Sequence, residues 1–148
     1  MRIPYYKQET EWTCGAACMR MALASLGKKY SEKQLAKLLR TTKKHGARRK
    51  YLVQLAEHFQ LSYVASRNAT LADIASLLKQ QYRVIVCFMH NQEESHYAVV
   101  SRLTKTHIHL LDPLDGPNMR YTRSLFNRIW HDDIADDPAR HWLLGIKA

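Results

Sequence analysis

YRVIVCFMHNQEESHYAVVSRLTKTHIHLLD, residues 82–112, decides the fold class of this chain. Within it YRVIVCFMH, HYAVVSRL and THIHLLD are apolar and β-branched, with polar turns between them, the texture of consecutive strands. Upstream the period is different. From Cys14 to Leu26 apolar residues and alanines recur at helical spacing (Ala17, Met21, Ala24), and Gly27 stands where a helix-ending glycine belongs. Ser31 and Gln34 have the spacing of a capping box opening a second helix through Leu39. A third helix runs through Tyr51, Leu52, Leu55, Ala56 and Phe59, and Leu61–Ala65 is a short strand candidate. Thr70 caps a fourth helix whose apolar face is Leu71, Ile74, Ala75, Leu77 and Leu78. Beyond the three strands come a turn cluster at Asp115-Gly116-Pro117-Asn118, a strand around Tyr121, a small helix over Leu125–Trp130 and a closing strand in HWLLGIKA. Helices first and then a mostly antiparallel sheet is the order of an α+β domain in two lobes. With no repeat, linker or low-complexity segment, residues 1–148 read as one domain.

Composition narrows the class. Hydrophobic residues make up 46% and charged residues 24%, ordinary for a soluble globular chain, and no apolar run approaches a transmembrane span. MRIPYYKQETEW at the N-terminus has no hydrophobic signal core, so the expectation is a cytoplasmic protein, with export left to a specialised secretion system. The formal net charge is +10, which favours an anionic partner. Much of that charge sits in TKKHGARRKY, at Lys43, Lys44, Arg48, Arg49 and Lys50, while IWHDDIADDPAR is acidic. This basic loop is either a solvated surface or a place for an anionic partner; without a nucleic-acid module beside it, nucleic acid is the weaker reading. Three cysteines, Cys14, Cys18 and Cys87, are too few and too odd in number for a disulfide framework, which points to a reducing compartment or a free functional thiol.

Four residues stand out chemically. Cys14 opens the first helix, where unpaired N–H groups and the positive end of the dipole favour thiolate over thiol. Gly15 beside it removes bulk where a substrate backbone would approach. Gln8, six residues upstream, can offer an amide N–H beside the Cys14 N–H, two donors for an oxyanion. His96 begins the strand HYAVV, and Asp112 ends the next one, sixteen residues on. Neighbouring antiparallel strands bring such residues side by side, so Asp112 can fix the imidazole tautomer while the ring serves a thiol. Taken singly, each has a structural alternative: a helix-start cysteine, a strand histidine. Cys18 and Cys87 read as core thiols. His107 and His109 share a strand face without a third ligand, so no metal is expected. Trp12 and Trp130 either line a cleft or pack.

QETEWTCGAAC, SHYAVV and IHLLDPLDG together resemble the three signature blocks of the bacteriocin-processing, double-glycine leader peptidases, which are papain-like cysteine peptidases. SLFNRIW resembles that family's phenylalanine-to-tryptophan stretch. The resemblance runs over nearly the whole chain in order. It implies a papain-like fold, a nucleophile at Cys14, an oxyanion glutamine at Gln8, and a histidine and aspartate at His96 and Asp112. It implies a peptide or protein substrate and no cofactor, because thiol and imidazole supply the chemistry. Thr13 stands where the family usually has aspartate before the nucleophile. No membrane-spanning or ATP-binding region follows in this sequence, so the substrate stays open. So does the reaction, among peptide hydrolysis, deamidation or another acyl transfer, and non-catalytic peptide binding.

Overall fold

A computed structural model of the chain describes residues 2–91, 94–134 and 136–148. The first helix, α1 (Cys14–Ser25), ends as its sequence indicates. Gly27 takes φ +81°. Its N–H donates to Ala24 O and the Lys28 N–H to Leu23 O, the paired bonds of a Schellman motif. Helix α2 (Glu32–Leu38) opens on the reciprocal Ser31–Gln34 capping box. Helix α3 (Arg49–His58) follows the basic loop, and a short strand, β1 (Ser62–Ser66), comes next. Helix α4 (Leu71–Lys79) is capped by Thr70, with Asp73 closing the box.

The strands of the opening stretch form β2 (Arg83–His90), β3 (Glu94–Leu103) and β4 (His107–Asp112). They continue into β5 (Gly116–Thr122), helix α5 (Arg123–Ile129) and β6 (Leu143–Lys147). The six strands make one sheet in the order β1-β6-β2-β3-β4-β5, antiparallel at every pairing. The α+β class is therefore as the order of elements indicates, with the N-terminal helices packed against an antiparallel sheet.

Two details differ from the sequence reading. The 115–118 segment is not the turn: Gly116 already pairs with Asp112, so residues 113–115 turn and Pro117 lies within β5. Pro117 is tolerated because β5 is an edge strand, where a missing N–H costs no ladder bond. Helix α5 begins two residues earlier than Leu125, because Thr122 Oγ1 accepts the Leu125 N–H and caps it.

Side chains alternate across the sheet and build two cores. On β2, Ile85 and Cys87 join Ala16, Met19 and Leu23 of α1, Leu35 of α2 and Leu52 of α3. Val84, Val86 and Phe88 join Ile74 of α4 and Phe126 of α5 on the other face. Burial on both faces explains why these strands read as continuous apolar runs and not as alternation. No helix among the described residues is long and apolar enough to cross a membrane.

Candidate active site

Cys14 is the first residue of α1 and is half-buried. The N-cap residue, Thr13, makes no side-chain bond to the helix amides. Its hydroxyl is engaged elsewhere, accepting the Thr10 N–H and lying 3.0 Å from Glu32 Oε2, to which it donates. The N-terminal amides of α1 are thus left uncapped by a side chain beside the sulfur. Glu32 also accepts the Glu9 N–H at 2.8 Å, so this buried carboxylate of α2 braces the whole 9–13 segment. Burial pushes its carboxyl above the ordinary value, against the pull of those two hydrogen bonds. Thr13 stands in for the usual aspartate, and the carboxylate beside it comes from another helix.

His96 is buried on β3, with its Nε2–H donating to Asp112 Oδ1 at 2.7 Å. That leaves Nδ1 as the ring nitrogen available to a thiol. Burial alone disfavours the charged ring, but hydrogen bonds to Asp112 and Cys14, and the negative charge of each, outweigh it and lift its pKa to about 10. The ring is walled by Phe88 edge-on, at 5.7 Å between centroids, and by a tilted His90 ring at 4.8 Å. Asp112 is fully buried, and its Oδ1 also accepts the N–H groups of Leu114 and Asp115. Burial opposes ionisation there too, yet the His96 bond and charge and the two amides hold the carboxyl below the usual carboxylate range.

Gln8 is buried at the rim of the same cleft. Its backbone N–H donates to Pro113 O at 2.8 Å and its side-chain Nε2 to Thr10 O at 2.7 Å. One Nε2 hydrogen is so held; the amide has a second. The structure therefore brings Gln8, Cys14 and His96 to one cleft of about 240 Å³, with Asp112 behind the imidazole. Trp12, Tyr97, Leu114 and Ile134 contribute its apolar surface. Trp12 lines the cleft, while Trp130 is fully buried in the second core.

Gly15 has a different reason from the one its position suggests. A Cβ there would lie 3.0 Å from Ala47 Cβ and 3.3 Å from the Tyr97 ring, so it is the 42–47 loop that needs the space. The Tyr97 hydroxyl donates to Ala47 O at 2.8 Å and fixes that loop, which carries Lys43, Lys44 and His45 onto the cleft wall. The basic run is thus not uniform. Arg49 is buried and paired with Asp132 at 2.9 Å, and Arg48 with Asp136 at 3.3 Å, so the acidic C-terminal stretch takes up two of its charges.

Cys18 and Cys87 are buried, and burial pushes both thiols well above their ordinary pKa. His107 and His109 have ring centroids 6.4 Å apart. Among the described residues, the grouping whose donor atoms come close enough for a metal is instead His90, Asp112 and Asp115, within 4.8 Å of one another. Within that grouping Asp112 Oδ1 is bonded to His96 and Asp115 Oδ2 to His90 Nε2 at 2.6 Å, while Asp112 Oδ2 is buried without a hydrogen-bond partner among the described residues. Glu32, His90 and Asp115 escaped the sequence reading. Nothing in the local pattern distinguishes Glu32 from an exposed first-turn acid, His90 from any strand-end residue, or Asp115 from a turn residue.

A reachable thiol at a helix start, an imidazole beside it and a buried carboxylate behind that are the arrangement of the papain-like cysteine peptidases. The Peptidase C39 family model matches residues 2–135, and the chain belongs to that family and is a cysteine peptidase. Its structure is similar to the peptidase domain of Streptococcus ComA, a bifunctional ABC transporter involved in a quorum-sensing pathway (TM-score 0.77, 18% identity, 98% of each chain covered). It is similar to a double-glycine-motif protease from an AMS/PCAT transporter in complex with the leader peptide (TM-score 0.72, 17% identity, 99% of this chain and 93% of that one). It is also similar to a C39-like peptidase from Bacillus anthracis (TM-score 0.76, 12% identity, 99% and 95% covered). No curated protein sequence matches the chain.

Proposed function

We propose that the protein cuts a peptide bond through a Cys14 acyl-enzyme, after small residues such as Gly-Gly in a leader peptide. The observation that carries this reading is the one cleft that Cys14 and His96 share, with His96 Nε2 bonded to the buried Asp112 carboxylate behind it. An imidazole facing the sulfur takes the thiol proton as the nucleophile forms. The Cys14 sulfur attacks the substrate carbonyl, forming the C–S bond and an oxyanion, which the Cys14 N–H and the free Gln8 Nε2–H receive. The oxyanion collapses, the C–N bond breaks, and His96 gives its proton to the leaving amine. Water, deprotonated by His96, then releases the acid and the thiol. Asp112 keeps the proton on Nε2 throughout, so Nδ1 always faces the reaction. The glycine preference draws its support from the double-glycine protease whose structure this one resembles. The free state of all three cysteines supports action in the reducing cytoplasm.

The test is hydrolysis of a peptide library by wild type and variants, followed by mass spectrometry. Cys14→Ala abolishes cleavage, and Gln8→Ala lowers kcat by roughly a hundredfold, the scale of one oxyanion donor. Full activity of Cys14→Ala overturns the mechanism; a bulky preference before the cut overturns the leader-peptide assignment alone. A mass gain of about one dalton without fragments, an amide becoming an acid, moves the reaction to deamidation.

A further inference from the structure

Asp112 is the last residue of β4, paired with Gly116 of β5 but with nothing on β3. The β3–β4 pairing ends towards the site at Val99 with Leu111, and the β4–β5 register breaks between Leu110 and Asp112. The ladder that carries His96 therefore does not by itself set the 2.7 Å contact between imidazole and carboxylate. The turn that follows does, because the Leu114 and Asp115 amides both point at Asp112 Oδ1. That turn is tied down at three points. The Tyr5 hydroxyl donates to Asp112 O at 2.7 Å, and the Gln8 N–H donates to Pro113 O at 2.8 Å, both from the N-terminal segment. The third tie runs the other way, past β3 to the end of β2, where His90 Nε2 meets Asp115 Oδ2 at 2.6 Å.

His90 is buried, and its ring lies 4.8 Å from that of His96. A buried imidazole at this site needs a partner, and Asp115 supplies one. Asp115 in turn is about a third exposed, with 34% of its side chain accessible, and without His90 it would turn to water. A short bond to a carboxylate is among the stronger hydrogen bonds available to a side chain.

We propose that His90 and Asp115 form a second imidazole–carboxylate pair that positions the first. The pair clamps the 113–115 turn to the end of β2 and so holds Asp112 against His96 Nε2, while the His90 ring keeps the His96 ring from swinging. Neither residue touches the reacting atoms; both are positioning residues. The proposal rests on Cys14, His96 and Asp112 being the reacting set.

The experiment reads the imidazoles of the full chain by 1H–15N NMR, together with the pH dependence of Cys14 alkylation by iodoacetamide. In wild type the His96 Nε2–H resonates far downfield, and Cys14 labels fast at pH 6. Asp115→Ala moves that resonance upfield and slows labelling at pH 6 by roughly tenfold or more, since small misplacements in a reacting set cost rates of this order. Asp115→Asn keeps an oxygen to accept the His90 N–H and restores both readings. The double variant His90→Ala/Asp115→Ala is no worse than His90→Ala alone, because the tie is already lost with the imidazole. A merely structural role would lower the melting temperature while leaving the resonance and the labelling profile in place. An unchanged resonance and profile in Asp115→Ala overturn the clamp. If wild-type Cys14 labels slowly at pH 6 while the resonance still moves in Asp115→Ala, the clamp stands and the reading of the reacting set falls.

Discussion

His96 holds its proton far beyond the range of a free imidazole, and this has a consequence for stability as well as for chemistry. Its pKa is 6.5 in the unfolded chain and about 10 in the folded one. Between those values the folded state binds the proton and the unfolded state does not, so stability drains as pH rises. The contribution is complete below pH 6.5 and is lost on the approach to about pH 10. Asp112 acts at the other end. Its folded value lies below 3.8, so its stabilisation is present above that and is lost as pH falls through the folded value. Denaturant titrations of wild type and His96→Ala from pH 6 to 10 should converge as pH rises; parallel curves would mean that His96 is not the charged group. The residue-level site was legible in the sequence to a large degree. Cys14, Gln8, His96 and Asp112 each carry a chemical reason visible without coordinates, and the structure gathers them. Their supports, Glu32, Tyr5, His90 and Asp115, were not legible, because each matters only through a partner far away in the chain.

At the scale of elements, the start of α1 depends on the loop before α3. Gly15 lets the 42–47 loop approach, and Tyr97 of β3 fastens Ala47 from the other side. Gly15→Ala would push Ala47 and the Tyr97 ring away from a fit with 3.0 Å between carbon atoms. The expected cost is about 1–3 kcal/mol of stability, the usual range for overpacking, read from the urea midpoint. Labelling of Cys14 should weaken alongside, as the loop wall shifts. An unchanged midpoint would show that the loop yields freely. Helix boundaries were largely legible, because caps are local: Ser31 with Gln34, Thr70, and Gly27 all act within a turn of their own position. The turn at 113–115 was not. Gly116 and Pro117 are turn residues by type, but the pairing of Asp112 with Gly116 drew them into an edge strand.

For the whole molecule, one sheet serves two cores, and the chain closes by inserting β6 between β1 and β2. The basic and acidic stretches of the sequence meet in space at Arg49, which is buried against Asp132. Arg49→Ala would strand that carboxylate, and the expected loss is about 3–5 kcal/mol, measured by thermal or urea unfolding. A loss below about 1 kcal/mol, the scale of an exposed pair, would mean that water reaches Asp132. The pair also anchors the segment that carries Ile134 to the cleft. Charge counted along the chain suggested a free basic surface; folding consumes part of it internally.

The sequence by itself determined the order of helices and strands, the caps, the apolar faces and the identities of the four chemical side chains. The elements, caps and faces follow from periodicity and local hydrogen bonding, whose range is a few residues, while the four side chains stood out as a set through the resemblance of their sequence blocks to the leader peptidases. Only the tertiary structure decided which strand lies beside which and why Gly15 has no side chain. It alone decided what carboxylate stands next to Thr13 and what holds Asp112 past the end of the β3–β4 ladder. Each of those depends on contacts between residues far apart in the chain, from the 23 positions separating Glu9 from Glu32 to the 107 separating Tyr5 from Asp112. Local pattern carries no record of such distances.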